Sequence, residues 1–195
     1  MRRREPLLPL LEALRDLIKW LQKKHVRGVV VGGVAASILG RPRMTRDIDV
    51  LILLEEEYWE EFLLDGAKFG FFPRLSDCVD FAKKSRVLLV RHKPGEIDVD
   101  ITIGKLPFEK EVIARAVWLD IRRIRLPLPA PEDLIIMKAI AHRTRDMADI
   151  ESILDTHSKL NLQRIRRWVG EFSTAIDMPE ILDDLEGILT RRRKK

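Results

Sequence analysis

The chain has 195 residues, 46% of them hydrophobic and 34% charged, with a net charge of +5. That is enough for one domain, or for a core with a small second lobe, and the basic excess leans mildly towards polyanions such as RNA. No apolar run reaches the length of a membrane span, and the single cysteine, Cys78, excludes an intramolecular disulfide and a cysteine zinc site.

Residues 5–24 predict a helix, with Leu7, Leu11, Leu14, Ile18 and Leu21 on one stripe and Pro9 near its start. Residues 2–4 read as a loose basic end without the cleavage pattern of a secretory signal, so the expected location is cytoplasmic. An apolar strand at 29–31 runs into Gly32 and Gly33, and a short helical stretch at 34–39 ends at Gly40. A basic loop follows with Arg41, Arg43, Thr45 and Arg46. The stretch RDIDVLIL, 46–53, is the second strand. Side chains alternate along a strand, so Asp47 and Asp49 share one face while Ile48, Val50 and Ile52 take the other. Two carboxylates side by side repel, and a hard divalent cation such as magnesium suits such oxygens while leaving room for phosphates.

Residues 55–64 predict an acidic helix, 66–73 a turn region, 77–84 a short helix and 86–91 a strand. EIDVDITIG, 96–104, alternates strictly and puts Asp98, Asp100 and Thr102 on one face. Residues 107–119 read as a helix, and 121–128 as a strand with Arg122, Arg123 and Arg125 outward. A soft boundary at 129 divides a core, 1–128, from a C-terminal helical lobe, 129–195. PAPED opens a helix with Pro131 in its first turn. That helix is apolar on nearly every side except Lys138, and a lone ammonium there either snorkels to the surface or meets an anionic ligand. An apolar residue in its place would remove the one charge of the stretch LIIMKAIA. Asp146 and Asp149 share a helix face if helix resumes near Thr144; first-turn capping and ion pairing with Arg143 or Arg145 explain them equally well. Two more amphipathic helices, 160–176 and 178–189, follow, with Lys159, Arg164, Arg166 and Arg167 as an exposed basic surface. Residues 191–195 read as a disordered basic tail.

The apolar-Gly-Gly pattern, thirteen residues, then Asp-Ile-Asp resembles the nucleotidyltransferase signature of the DNA polymerase β superfamily. Within it, GGVAASILGRPRMTRDIDV is most similar to the AbiEii-type and related small prokaryotic nucleotidyltransferases. The resemblance implies an α+β nucleotidyltransferase fold, a mixed β-sheet flanked by helices with a C-terminal helical lobe. It implies transfer of a nucleoside monophosphate from an NTP to a hydroxyl, with two magnesium ions on Asp47, Asp49 and a third carboxylate. The strand DITIG matches that third position at Asp100, with Asp98 as the alternative on the same face. Gly32, Gly33, Arg43 and Thr45 are the implied nucleotide-binding residues. PEDLIIMKAIAHRTRDMADIESIL resembles the family's C-terminal motif, which gives Lys138 a phosphate contact and makes Asp146 and Asp149 candidate site residues. Gly33 stands where many relatives have serine, so one hydroxyl contact to phosphate is missing. In the AbiEii-type relatives the activity serves a toxin held by an antitoxin protein, with tRNA as one acceptor class. A nucleotide- or RNA-binding module without turnover and a metal-dependent nuclease are the rival readings of the same residues.

Overall fold

The computed structural model describes residues 7–193. They form two compact units: residues up to Val34 with Met44–Leu128, and Ala35–Arg43 with the residues from Pro129 onward. The expectations for residues 2–4, 194 and 195 lie outside the described residues.

In the first unit, strands β1 (Arg27–Val31), β2 (Asp47–Leu53), β3 (Phe71–Pro73), β4 (Val87–His92) and β5 (Ile97–Ile103) build one sheet in the order β1-β2-β5-β4-β3. β2 and β5 run parallel and every other neighbouring pair antiparallel, so the sheet is mixed. Helices α1 (Leu8–Lys23), α2 (Gly32–Leu39), α3 (Trp59–Gly66), α4 (Cys78–Ser85) and α5 (Pro107–Ala114) accompany it, and α2 ends in the second unit. Period-two patterning decides which face is buried. Ile48, Val50, Leu88, Val90, Val99 and Ile101 all point into the core and are fully buried. An aromatic stack closes that core: Trp20 of α1 lies 4.1 Å from Phe62 and 5.1 Å from Phe71, ring centre to ring centre. The carboxylates take the other face.

Two expectations fail at the end of this unit. Residues 107–119 are not one helix: α5 stops at Ala114, and β6 (Val117–Ile121) follows. The helical stripe of Phe108, Val112 and Ile113 is spent by then, and a pairing partner is available in β7 (Ile124–Leu128). Residues 121–128 are not one strand either, because Arg122 and Arg123 form the hairpin turn with φ of 46° and 68°. A turn of this hand normally carries Asn-Gly, so its sequence signal is absent. The turn region at 66–73 also ends in the short strand β3, an edge strand where Pro73 is tolerated.

The second unit is helical, with α6 (Pro131–Ala141), α7 (Thr144–Thr156), α8 (Leu162–Ala175) and α9 (Glu180–Arg193). Ile135, Ile136, Ile150, Ile153, Ile165, Val169, Ile181 and Leu185 form its core. α9 runs to Arg193, into the stretch read as a tail, and Arg191 pairs with Glu151 at 3.1 Å. The basic surface expected on α8 is largely neutralised. Arg164 reaches the fully buried Asp133 at 2.8 Å, and Arg166 reaches Glu186 at 2.5 Å.

The left-handed Arg122-Arg123 turn yields the first prediction. Replacing the pair by Asn-Gly removes strain at two positions and should raise unfolding stability by about 1 kcal/mol or more, read from urea denaturation.

Candidate active site

The parallel register of β2 and β5 places Asp47 opposite Asp98 and Asp49 opposite Asp100. Four carboxylates therefore share one face of two neighbouring strands. Each is held differently. Asp47 is exposed and accepts a hydrogen bond from the Thr45 hydroxyl at 3.0 Å. The Asp49 carboxylate lies against Gly32, where β1 turns into α2. Gly32 has a φ of 59°, and a Cβ there would overlap that carboxylate outright, so only glycine fits.

On β5 the two acids differ sharply. Asp98 is gripped by both prongs of Arg91, at 2.6 and 3.1 Å, and also by Arg74 Nη1 at 3.2 Å. The Arg91 hydrogen bond holds its carboxyl below the usual range, against the pull of burial. Asp100 bonds the Arg74 Nη2 group. Burial pushes its carboxyl up, the nearby Asp47 and Asp98 charges push the same way, and Arg74 only partly offsets them. Neither Arg74 nor Arg91 was singled out from the sequence. Arg91 was within reach, because alternation along β4 puts it on the carboxylate face; Arg74 was not, because its segment reads as a turn.

In the second unit, Arg43, Lys138, Asp146 and Asp149 form one ionic network. Lys138 Nζ lies 2.8 Å from Asp146 and 2.7 Å from Asp149. Arg43 grips Asp149 with two nitrogens, both at 2.9 Å. Burial would raise the Asp149 carboxyl, but Arg43 and Lys138 outweigh it and hold it low. One reading of Lys138 is corrected: it does not snorkel, being 5% exposed and held by two carboxylates of the following helix. Asp149 pairs with Arg43 and Lys138, not with Arg143 or Arg145 as one of its two readings had it. The loop before β2 is also less open than it read. Arg41 bonds Asp155 at 2.9 Å, and the Ser37 hydroxyl bridges the Arg43 backbone.

Residues 10–186 match the family model described as nucleotidyl transferase of unknown function (DUF2204). The chain belongs to that family. Solved structures agree on the nucleotidyltransferase fold. An antigenic nucleotidyltransferase-like protein from Paracoccidioides brasiliensis is 16% identical, with a TM-score of 0.57 over 89% of this chain and 92% of its own. The antibiotic-resistance factor ANT(2'')-Ia is 11% identical, with a TM-score of 0.60 over 88% and 95%. The lincosamide antibiotic adenylyltransferase LnuA, solved with lincomycin bound, is 12% identical, with a TM-score of 0.53 over 75% and 97%. No curated protein matches the sequence.

The carboxylate face of this nucleotidyl transferase family member bears on metal binding. Among the described residues no three acidic, histidine or cysteine side chains converge closely enough to hold an ion. Hard carboxylate oxygens of this kind suit magnesium, and Asp100 is bonded to Arg74.

Two predictions follow from the geometry. Gly32→Ala should displace Asp49 and lower stability, read as a drop in thermal midpoint. Lys138→Met, harmless if the helix carried a lone charge, removes the closest cation of two buried carboxylates, Asp146 and Asp149, and should cost about 3–5 kcal/mol in chemical denaturation.

Proposed function

We propose that this protein is a metal-dependent nucleotidyltransferase that moves a nucleoside monophosphate from an NTP to an acceptor hydroxyl. The observation that carries this reading is the shared face of Asp47, Asp49 and Asp100 on two parallel strands, beside a glycine turn that leads into a helix. Asp47, Asp49 and Asp100 would hold the magnesium ions. Magnesium held there would neutralise the triphosphate, favour the deprotonated hydroxyl and stabilise the leaving pyrophosphate. Thr45 fixes the Asp47 carboxylate by a hydrogen bond. Gly32 and Gly33 let the backbone approach the phosphates, at the head of α2 where N–H groups point outward. Asp98 is committed to Arg91, which favours Asp100 as the third ligand. Arg43 and Lys138 act through the loop: by binding Asp149 they fix the chain that leads into β2.

An RNA acceptor such as tRNA, a toxin role and an antitoxin partner rest on the AbiEii-type resemblance, and a cytoplasmic setting on the sequence reading. A nucleotide-binding protein without turnover is the second reading, and the grip of Arg74 on Asp98 and Asp100 favours it. One experiment separates the two. The protein is incubated with magnesium, each α-labelled NTP in turn, and total RNA. Transfer of label with release of pyrophosphate is expected, and Asp47→Asn or Asp49→Asn should abolish it while leaving the circular dichroism spectrum unchanged. Tight NTP binding without transfer to any acceptor would establish the second reading.

A further inference from the structure

The face that carries the carboxylates changes sign across the sheet. In register, Asp47, Asp98, Arg91 and Phe72 form one row. Asp49, Asp100, Leu89 and Arg74 form the next, with the Arg74 amide donating to the Leu89 carbonyl at 2.9 Å. β2 and β5 thus supply acids, whereas β4 and the end of β3 supply cations. Lys93 adds a third positive charge, its ammonium 4.1 Å from the centre of the Phe72 ring. Arg74 joins the two halves. It bonds Asp98 and Asp100, and its Nε is buried without a hydrogen-bond partner among the described residues.

We propose that the β3–β4 side of this face is an anion subsite that takes a phosphate of the acceptor, and that Arg74 is the residue that exchanges partners to form it. This rests on the transferase reading above. A guanidinium and a divalent cation cannot occupy the same oxygen of Asp100, because both are positive and the ion carries twice the charge. An ion at Asp100 therefore displaces Arg74. The displaced guanidinium cannot turn fully onto Asp98, because Arg91 already takes both oxygens of that carboxylate. Its side chain is only 24% exposed, so water satisfies it poorly. A phosphate oxygen supplies the missing acceptor, with the bidentate geometry that arginine favours. Arg91 and Lys93 raise the local positive potential, and Phe72 with Leu89 offers an apolar floor for a sugar or base. A polyamine acceptor would meet like charge here. The acceptor class is a phosphate-bearing hydroxyl compound, either RNA or a small phosphorylated metabolite.

The test is a binding cycle in EDTA without nucleotide, so its outcome is independent of whether transfer occurs. Wild type, Asp100→Asn, Arg74→Gln and the double variant are titrated against a fluorescein-labelled single-stranded RNA and, by calorimetry, against glycerol 3-phosphate. Thermal melting confirms that each variant folds, and Arg74→Lys replaces Arg74→Gln if the latter does not. Asp100→Asn frees the Nη2 edge of Arg74 without metal, so it should bind RNA about five-fold more tightly than wild type. The double variant should lose that gain. A gain with RNA alone identifies a polymeric acceptor, and a gain with both probes identifies a phosphate monoester more generally. No gain in Asp100→Asn, or a gain that survives removal of Arg74, would overturn the proposal.

Discussion

Four carboxylates on two adjacent parallel strands repel one another, and the first unit is arranged around that repulsion. Like charges held on neighbouring strands raise the free energy of the fold. Such a cost is sustained only where cations are supplied. Arg91 of β4 neutralises Asp98, and Arg74, just after β3, bridges Asp98 and Asp100. Thr45 and the glycine turn at Gly32 accommodate the two acids of β2 instead with a hydroxyl and with space. The asymmetry matters for chemistry. To take a metal ion, Asp100 must exchange one positive partner for another.

The second unit solves the inverse problem. Lys138 sits on a helix too apolar to hydrate it, and α7 brings Asp146 and Asp149 to it from the next turn of chain. Arg43 then balances the extra negative charge. Two cations and two anions cancel, which lets all four lie at low exposure. A buried network of this kind contributes little net stability compared with an apolar core, yet each member is costly to remove alone. The network also holds Arg43 against Asp149.

The sequence made the carboxylate face legible because period-two alternation and the Gly-Gly turn are local signals. Asp47, Asp49, Asp98 and Asp100 are each assigned a face by their immediate neighbours. Partners distant in the chain were not legible. Arg74 lies 26 residues from Asp100, and Arg43 lies 106 from Asp149; no periodicity joins residues so far apart. The partners of Lys138 were hidden for the same reason: the absence of a partner on its own helix says nothing about the helix after it. The β6–β7 hairpin was hidden by a different cause. Its turn is made by two arginines in a conformation that sequence patterns reserve for Asn and Gly, so a strand was drawn straight through it.

The second unit is discontinuous: Ala35–Arg43 belongs with residues beyond Pro129. Its ties, Arg41 to Asp155, Arg43 to Asp149 and the Leu39 carbonyl to His157, all span more than a hundred residues. A ribosome delivers residues 35–43 long before their partners exist. The segment leading into Asp47 therefore stays unanchored through most of synthesis, and the high sequence separation of these contacts makes their closure a late step. A nascent chain can assemble the sheet around its carboxylates, but the approach to them is fastened only after α7 has been translated.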